Sequence, residues 1–222
     1  MREEMIYNPG FYQLREYMIQ TMLSLIADNK KSKPRGVLFF GDSITQWYDI
    51  EKYYPEISVK YNSGIAGATS ELLRWICDEA VIKYQPQLIV LMVGTNDFGN
   101  TNMRSPRDVC CNVRVLLDLI WGNLPNIKIL LLETLPCDEK RQEAFMGKKM
   151  RSNKMIALLN EEYKNLAQFF PDLILGPTFA AFFNEAANSI IPAYTIDGLH
   201  LSDDGYRRLT QIIQPILQKY VK

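Results

Sequence analysis

The chain has 222 residues, 47% of them hydrophobic and 23% charged, which suits a single soluble globular domain with a sizeable core. Its 25 basic residues balance 25 acidic ones, so no basic footprint for nucleic acid or for an anionic membrane surface is present. One histidine, His200, excludes a multi-histidine metal centre, and Cys77, Cys110, Cys111 and Cys137 show no CxxC spacing and read as reduced thiols in a cytoplasmic protein.

No segment approaches the ~18 consecutive apolar residues of a membrane span. Arg2, Glu3 and Glu4 open the chain with charge, so no signal peptide is expected. Phe11, Leu14, Met18, Met22 and Leu25 recur at helical spacing and predict an amphipathic helix over 11–28, packed across the domain or used as a dimer contact. A basic link, Lys30 to Arg35, follows it. Residues 1–35 are therefore expected to be a helix and linker packed on a domain formed by residues 36–222.

The apolar run Val37-Leu38-Phe39-Phe40 reads as a buried strand that breaks at Gly41 and delivers Asp42 and Ser43 to the start of a helix. An aromatic cluster, Trp47, Tyr48, Tyr53 and Tyr54, comes next. A second strand is expected over 57–61, ending in Asn62-Ser63-Gly64-Ile65-Ala66-Gly67, with Thr69 or Ser70 capping a helix to about Ile82. Residues 88–93 carry the strongest buried-strand signal and end in Gly94-Thr95-Asn96-Asp97. Ser105-Pro106-Arg107-Asp108 has the form of a capping box with proline at the first helical position, opening a helix to about Trp121.

A fourth strand is expected over 127–133, then a charged loop, a long helix over 151–169, a short strand over 173–175 and a closing helix from Ser202 towards Tyr220, with a kink at Pro215. Short apolar strands alternating with helices argue for an α/β fold, a parallel sheet of about five strands covered by helices on both faces. In a doubly wound sheet, ligands bind outside the carboxyl ends of the strands, where the strand order reverses. With the order 2-1-3-4-5, the Gly67 and Asn96 loops flank Ser43.

A serine hydroxyl needs a base, and the base an orienting carboxylate. Asp197-Gly198-Leu199-His200, just ahead of the last helix, is able to supply both. The Ser43 N–H, the Gly67 N–H and the Asn96 side-chain amide are candidate oxyanion donors. Each of these residues alone has an ordinary alternative, as a helix cap, a turn or a half-buried histidine.

In order along the chain, Gly41-Asp42-Ser43-Ile44-Thr45, Asn62 to Gly67, Gly94-Thr95-Asn96-Asp97 and Asp197-Gly198-Leu199-His200 match four blocks. On these the sequence resembles the SGNH (GDSL-type) hydrolase superfamily, and within it the bacterial platelet-activating-factor acetylhydrolase-like esterases, a likeness that extends to Arg151-Ser152-Asn153 and Leu201-Ser202. The first block ends Ile-Thr where the family name has Leu. The resemblance implies a three-layer α/β/α, flavodoxin-like fold and an esterase with Ser43 as nucleophile, His200 as base and then acid, and Asp197 as its partner. It places Ser43, Gly67 and Asn96 in the oxyanion hole and requires no metal and no other cofactor. The Gly-x-Ser-x-Gly elbow of α/β-hydrolases is absent.

The expected substrate is a small short-acyl ester, met without nucleic acid or membrane insertion by a monomer or homodimer. The alternatives are a lysophospholipase or acyl thioesterase with the same triad and, outside catalysis, an anion-binding module. Asp42 and Asp97 are read as holding their loops, and Glu133 as solvated on the active side or touching substrate. Trp47, Tyr48 and the Phe-rich stretch 178–194, with Phe179, Phe182 and Phe183, are either pocket wall or core.

Overall fold

The computed structural model describes residues 14–99, 105–146 and 151–221. Five parallel strands form its main sheet: β1 (Val37–Gly41), β2 (Lys60–Gly64), β3 (Leu88–Met92), β4 (Lys128–Leu132) and β5 (Leu173–Gly176). Their spatial order is β2-β1-β3-β4-β5, so the order reverses between β1 and β3, as the sequence predicts. The helices are α1 (Glu16–Asn29), α2 (Ser43–Gln46), α3 (Ile50–Tyr53), α4 (Ser70–Ala80), α5 (Thr95–Gly99), α6 (Pro106–Asn123), α7 (Glu139–Met146), α8 (Asn153–Phe169), α9 (Phe179–Phe182) and α10 (Asp203–Tyr220). A small antiparallel hairpin, β6 (Phe183–Asn184) with β7 (Ser189–Ile190), precedes the loop that carries Asp197 and His200.

Side chains alternate across a strand with period two, so a strand buried on both faces is apolar throughout. In β1, Leu38 and Phe40 join the core beneath α1, α4, α6 and α8, while Val37 and Phe39 face the core beneath α3 and α10. β3 divides in the same way, Ile89 and Leu91 against Leu88, Val90 and Met92. The result is the three-layer α/β/α arrangement.

Local capping sets the helix starts. Thr69 Oγ1 accepts the Leu72 N–H (3.3 Å), and Ser202 Oγ accepts the Gly205 N–H (3.1 Å). Ser105 and Asp108 form the expected capping box, each side chain accepting the other's backbone N–H.

Three expectations shift. The second strand lies at Lys60–Gly64 rather than 57–61, because it is an edge strand whose first three residues are only half-buried. Ile57, whose apolarity drew the earlier boundary, instead buries in the core under α10. The stretch expected to be a charged loop contains α7, and the long helix starts at Asn153, after Ser152 in extended backbone, with the Arg151 side chain buried. Phe11 and the charged start at Arg2, Glu3 and Glu4 lie outside the described residues. Of the aromatic cluster, Tyr48 and Tyr54 are core residues. The Tyr48 ring stacks on Tyr206 (5.0 Å between centroids), and its hydroxyl bonds those of Tyr54 (2.8 Å) and Thr210 (2.6 Å). Pro215 sits inside α10. No helix among the described residues is long and apolar enough to cross a membrane.

Helix α1 inserts Met18 and Leu25 into the core shared with α4, and Asn29 Nδ2 donates to the Glu79 carbonyl (2.8 Å). Met18→Ala should therefore cost about 2–5 kcal/mol, read as a lower urea midpoint at unchanged slope. An unmoved midpoint would mean that α1 does not fold with the sheet.

Candidate active site

Four strand-end or loop segments converge at the carboxyl edge of the sheet. At the end of β1, a side chain at Gly41 would collide with the Met92 carbonyl and with Thr45, so only glycine lets this turn pass so close to β3. Asp42 then caps α2, its Oδ1 accepting the Ile44 N–H (2.9 Å), and Ser43 follows with 5% of its surface exposed. At the end of β2, Asn62 ties the two loops together. Its Nδ2 donates to the Thr45 carbonyl (2.7 Å) and its Oδ1 accepts the Gly64 N–H (2.9 Å). Gly67 has φ +77°, the left-handed region that glycine enters without penalty.

At the end of β3, Asn96 Nδ2 donates to the Ala68 carbonyl (3.1 Å), and Asp97 accepts both the N–H and the hydroxyl of Ser70. The structure thus gives Asp42 and Asp97 the loop-holding contacts expected of them. On the last loop, Asp197 Oδ1 accepts the N–H groups of Leu199 (2.9 Å) and His200 (2.7 Å). Its Oδ2 lies 2.6 Å from His200 Nδ1, and His200 Nε2 lies 3.0 Å from Ser43 Oγ. Gly198, at φ +87°, makes the turn that lets one carboxylate reach both backbone and ring.

An ionised carboxylate only accepts, so the proton of a neutral imidazole belongs on Nδ1 and the lone pair on Nε2 faces the serine hydroxyl. Burial pushes the Asp197 carboxyl up, but the His200 ring and the His200 and Leu199 N–H groups together hold it below the usual carboxylate range. Asp42 is displaced the other way. Burial raises it to about 7, against the pull of the Ile44 N–H and the Arg151 charge.

Ser43, Gly67, Asn96, Asp197 and His200 all line one cavity of about 800 Å³, within the ordinary range for small-molecule sites. Trp47 stands at its edge, half exposed, with its ring 4.3 Å from that of His200. Further walls come from Arg15, Tyr17 and Thr21 at α1 and from Arg141, Gln142 and Ala144 on α7. Sequence reasoning missed both helices as wall elements. Nothing in a local pattern says which distant helix will lie across a strand end, although the charge on α7 marks a solvent-facing element.

The other wall candidates stand apart from the cavity. Tyr48 and Phe182 are core residues, and Phe179 and Phe183 pack on each other (4.9 Å). Glu133 is a correction. It is 5% exposed, neither solvated nor lining the cavity, and its Oε2 accepts the Phe179 N–H (3.0 Å) at the start of α9, with Lys164 nearby. Its side chain fixes the β5–α9 turn. None of the four cysteines is in a disulfide, and Cys77, Cys110 and Cys137 are buried. Among the described residues, no group of three His, Cys, Asp or Glu side chains is placed to hold a metal ion.

Residues 39–208 match the family model described as GDSL-like Lipase/Acylhydrolase. Among curated proteins, the chain is 26% identical over 197 residues to the platelet-activating factor acetylhydrolase IB subunit alpha2 of Bos taurus, covering 86% of this chain and 80% of that one. Among solved structures, it is similar to a Streptococcus pneumoniae protein named after platelet activating factor, at 28% identity and TM-score 0.82, covering 91% and 93% of the two chains. A GDSL-like lipase from Bacteroides thetaiotaomicron shares the fold at 22% identity and TM-score 0.77, covering 89% and 97%. The match over 170 residues takes in every strand-end segment that meets at Ser43, and the chain belongs to the GDSL-like lipase/acylhydrolase family, as an ester-bond hydrolase.

Proposed function

We propose that the chain hydrolyses a small, short-acyl carboxylic ester through Ser43, with His200 as general base and then acid and Asp197 as its orienting partner. The observation that carries this reading is the unbroken line of contacts Asp197 Oδ2–His200 Nδ1 (2.6 Å) and His200 Nε2–Ser43 Oγ (3.0 Å). Ser43 Oγ attacks the ester carbonyl as Nε2 takes its proton, and Asp197 stabilises the imidazolium that forms. The Ser43 N–H, the Gly67 N–H and an Asn96 amide N–H receive the oxyanion. The imidazolium then protonates the departing alcohol. Water, deprotonated by Nε2, releases the acid from the acyl-serine.

Two features support a short acyl group. The Phe-rich stretch that would wall a long chain packs elsewhere, and the Bos taurus relative is by name an acetylhydrolase. The cavity volume favours a second reading, a longer acyl or a bulky alcohol, which a lysophospholipase or acyl thioesterase with the same triad would take. Membership of an acylhydrolase family leaves the anion-binding module without support.

Across p-nitrophenyl acetate to dodecanoate, the initial rate should peak at acetate or butyrate, and Ser43→Ala should lower kcat by roughly 10⁴-fold or more at every length. A peak at dodecanoate would select the second reading, and turnover surviving in Ser43→Ala would remove the serine from the chemistry.

The pH profile follows from the charge states. Because Asp197 is held below the usual carboxylate range, it stays ionised while the imidazole gains its proton. The acid limb of log(kcat/KM) should therefore fall with a slope of one. A slope of two would mean that a carboxyl, Asp197 or the raised Asp42 beside Ser43, titrates together with the ring. Asp197→Asn should lower kcat by about 10³- to 10⁴-fold, since an amide no longer enforces the productive tautomer.

A further inference from the structure

We propose that Arg151 is a positioning residue of this hydrolase, fixing the Asn96 carboxamide so that an N–H of the amide, and not its oxygen, faces the oxyanion. The inference rests on the reading of Asn96 as an oxyanion donor. A carboxamide has nearly the same shape either way round, and its two ends do opposite things: the nitrogen donates, the oxygen accepts. With the oxygen turned towards the cavity, Asn96 would repel the charge it is meant to receive.

The orientation is set from both ends. Arg151 Nη2 donates to Asn96 Oδ1 (3.1 Å), and a guanidinium has donors only. Asn96 Nδ2 donates to the Ala68 carbonyl (3.1 Å), which only accepts. A flipped amide would set N–H against N–H at one end and oxygen against oxygen at the other, all within a buried site.

Arg151 is itself locked. Its Nε donates to the Thr95 carbonyl (3.1 Å) and Oγ1 (3.2 Å), and its Nη1 to Gln142 Oε1 (3.4 Å). The guanidinium lies so close over Gly99 that any side chain there would collide with it. Only 6% of Arg151 is exposed, and its hydrogen bonds to described residues end on neutral oxygens.

Burying a cation is costly unless charge compensates it, and the nearby Asp42 and Asp197 carboxyls act electrostatically on Arg151. Its Nη2 nonetheless bonds no carboxylate but the oxygen of Asn96, a residue that, like Arg151 itself, lines the cavity. A cation on the oxygen end also draws electron density from the nitrogen and strengthens its N–H as a donor.

The test is a double-mutant cycle on kcat and KM with p-nitrophenyl acetate, each variant first checked for folding by circular dichroism and thermal melting. Asn96→Ala should lower kcat by about 100- to 1,000-fold, as for a lost oxyanion donor. Arg151→Gln should lower kcat about 10- to 100-fold with KM moving less than about 3-fold, and should cost less than about 3-fold more once Asn96 is already alanine. Arg151→Lys, which keeps the charge without the planar fork, should lose about 10-fold. If Arg151→Gln does not fold, Arg151→Lys and Gly99→Ala carry the same comparison.

A folded Arg151 variant with wild-type kcat would overturn the proposal. So would an equal loss with and without Asn96. An Asn96→Ala enzyme with undiminished kcat would overturn the oxyanion reading of Asn96, and this inference with it, while leaving the Ser43 reading intact.

Discussion

A strand buried on both faces has no room for polar side chains, and this constraint orders the rest of the molecule. β1 and β3 are buried at every position and uniformly apolar except for the terminal glycine of β1. Polar chemistry is therefore displaced to the carboxyl edge, where the strands stop and loops begin. Because β1 lies between β2 and β3, the ends of three strands open side by side. The loop before α10 needs only to cross that edge to bring His200 to Ser43.

Polar groups gathered at a buried edge must satisfy one another, and helix α8 does much of this work. Asn160 makes a two-way bond with Thr134, accepting its N–H (2.8 Å) and donating to its carbonyl (3.0 Å). The Thr134 hydroxyl and the Tyr163 hydroxyl both donate to the Val93 carbonyl, closing the end of β3. One helical face upstream, Asn153 grips Cys137 from both sides and also donates to Asn188 in the β6–β7 turn. The backbone that carries Thr95 and Asn96 is thus anchored from behind by a long helix, and Arg151, two residues ahead of that helix, reaches forward to the same two residues. Rigid support of this kind is what an oxyanion site needs, because preorganised donors cost no reorganisation when charge develops.

The legible part of this architecture was the part written in short-range chemistry. Gly41, Gly67 and Gly198 announce turns because nothing larger fits or adopts their backbone angles. Ser105 and Asp108 announce a helix start because their side chains act within three residues. The parallel sheet followed from the alternation of strands and helices, and the assumed order 2-1-3-4-5, which the structure has, brings the Ser43, Gly67 and Asn96 loops side by side. What stayed hidden depends on partners far away in sequence. Glu133 looked solvent-facing, yet it pairs with a backbone N–H 46 residues on. Arg151 reads as a helix-opening charge, but its hydrogen bonds run 56 residues back to Thr95. α1 and α7 form cavity walls only because of how they lie in three dimensions.

The same crowding at the sheet edge sets opposite pH dependences for two carboxyls a few residues from the chemistry. Asp197 is depressed, so its contribution to stability is present above the ordinary aspartate range and is lost as pH falls through its folded value. Asp42 is raised to about 7 from an ordinary 3.8, so the folded chain retains a proton that the unfolded chain has released. Between those two values, its effect is to lower stability as pH rises, and above about 7 the full penalty of a buried carboxylate is present. An uncharged residue would avoid that penalty, but the turn needs an acceptor for the Ile44 N–H, and a negative charge there faces Arg151. The strand end that carries Ser43 is thus held by a carboxyl whose burial weighs most against the fold above about pH 7.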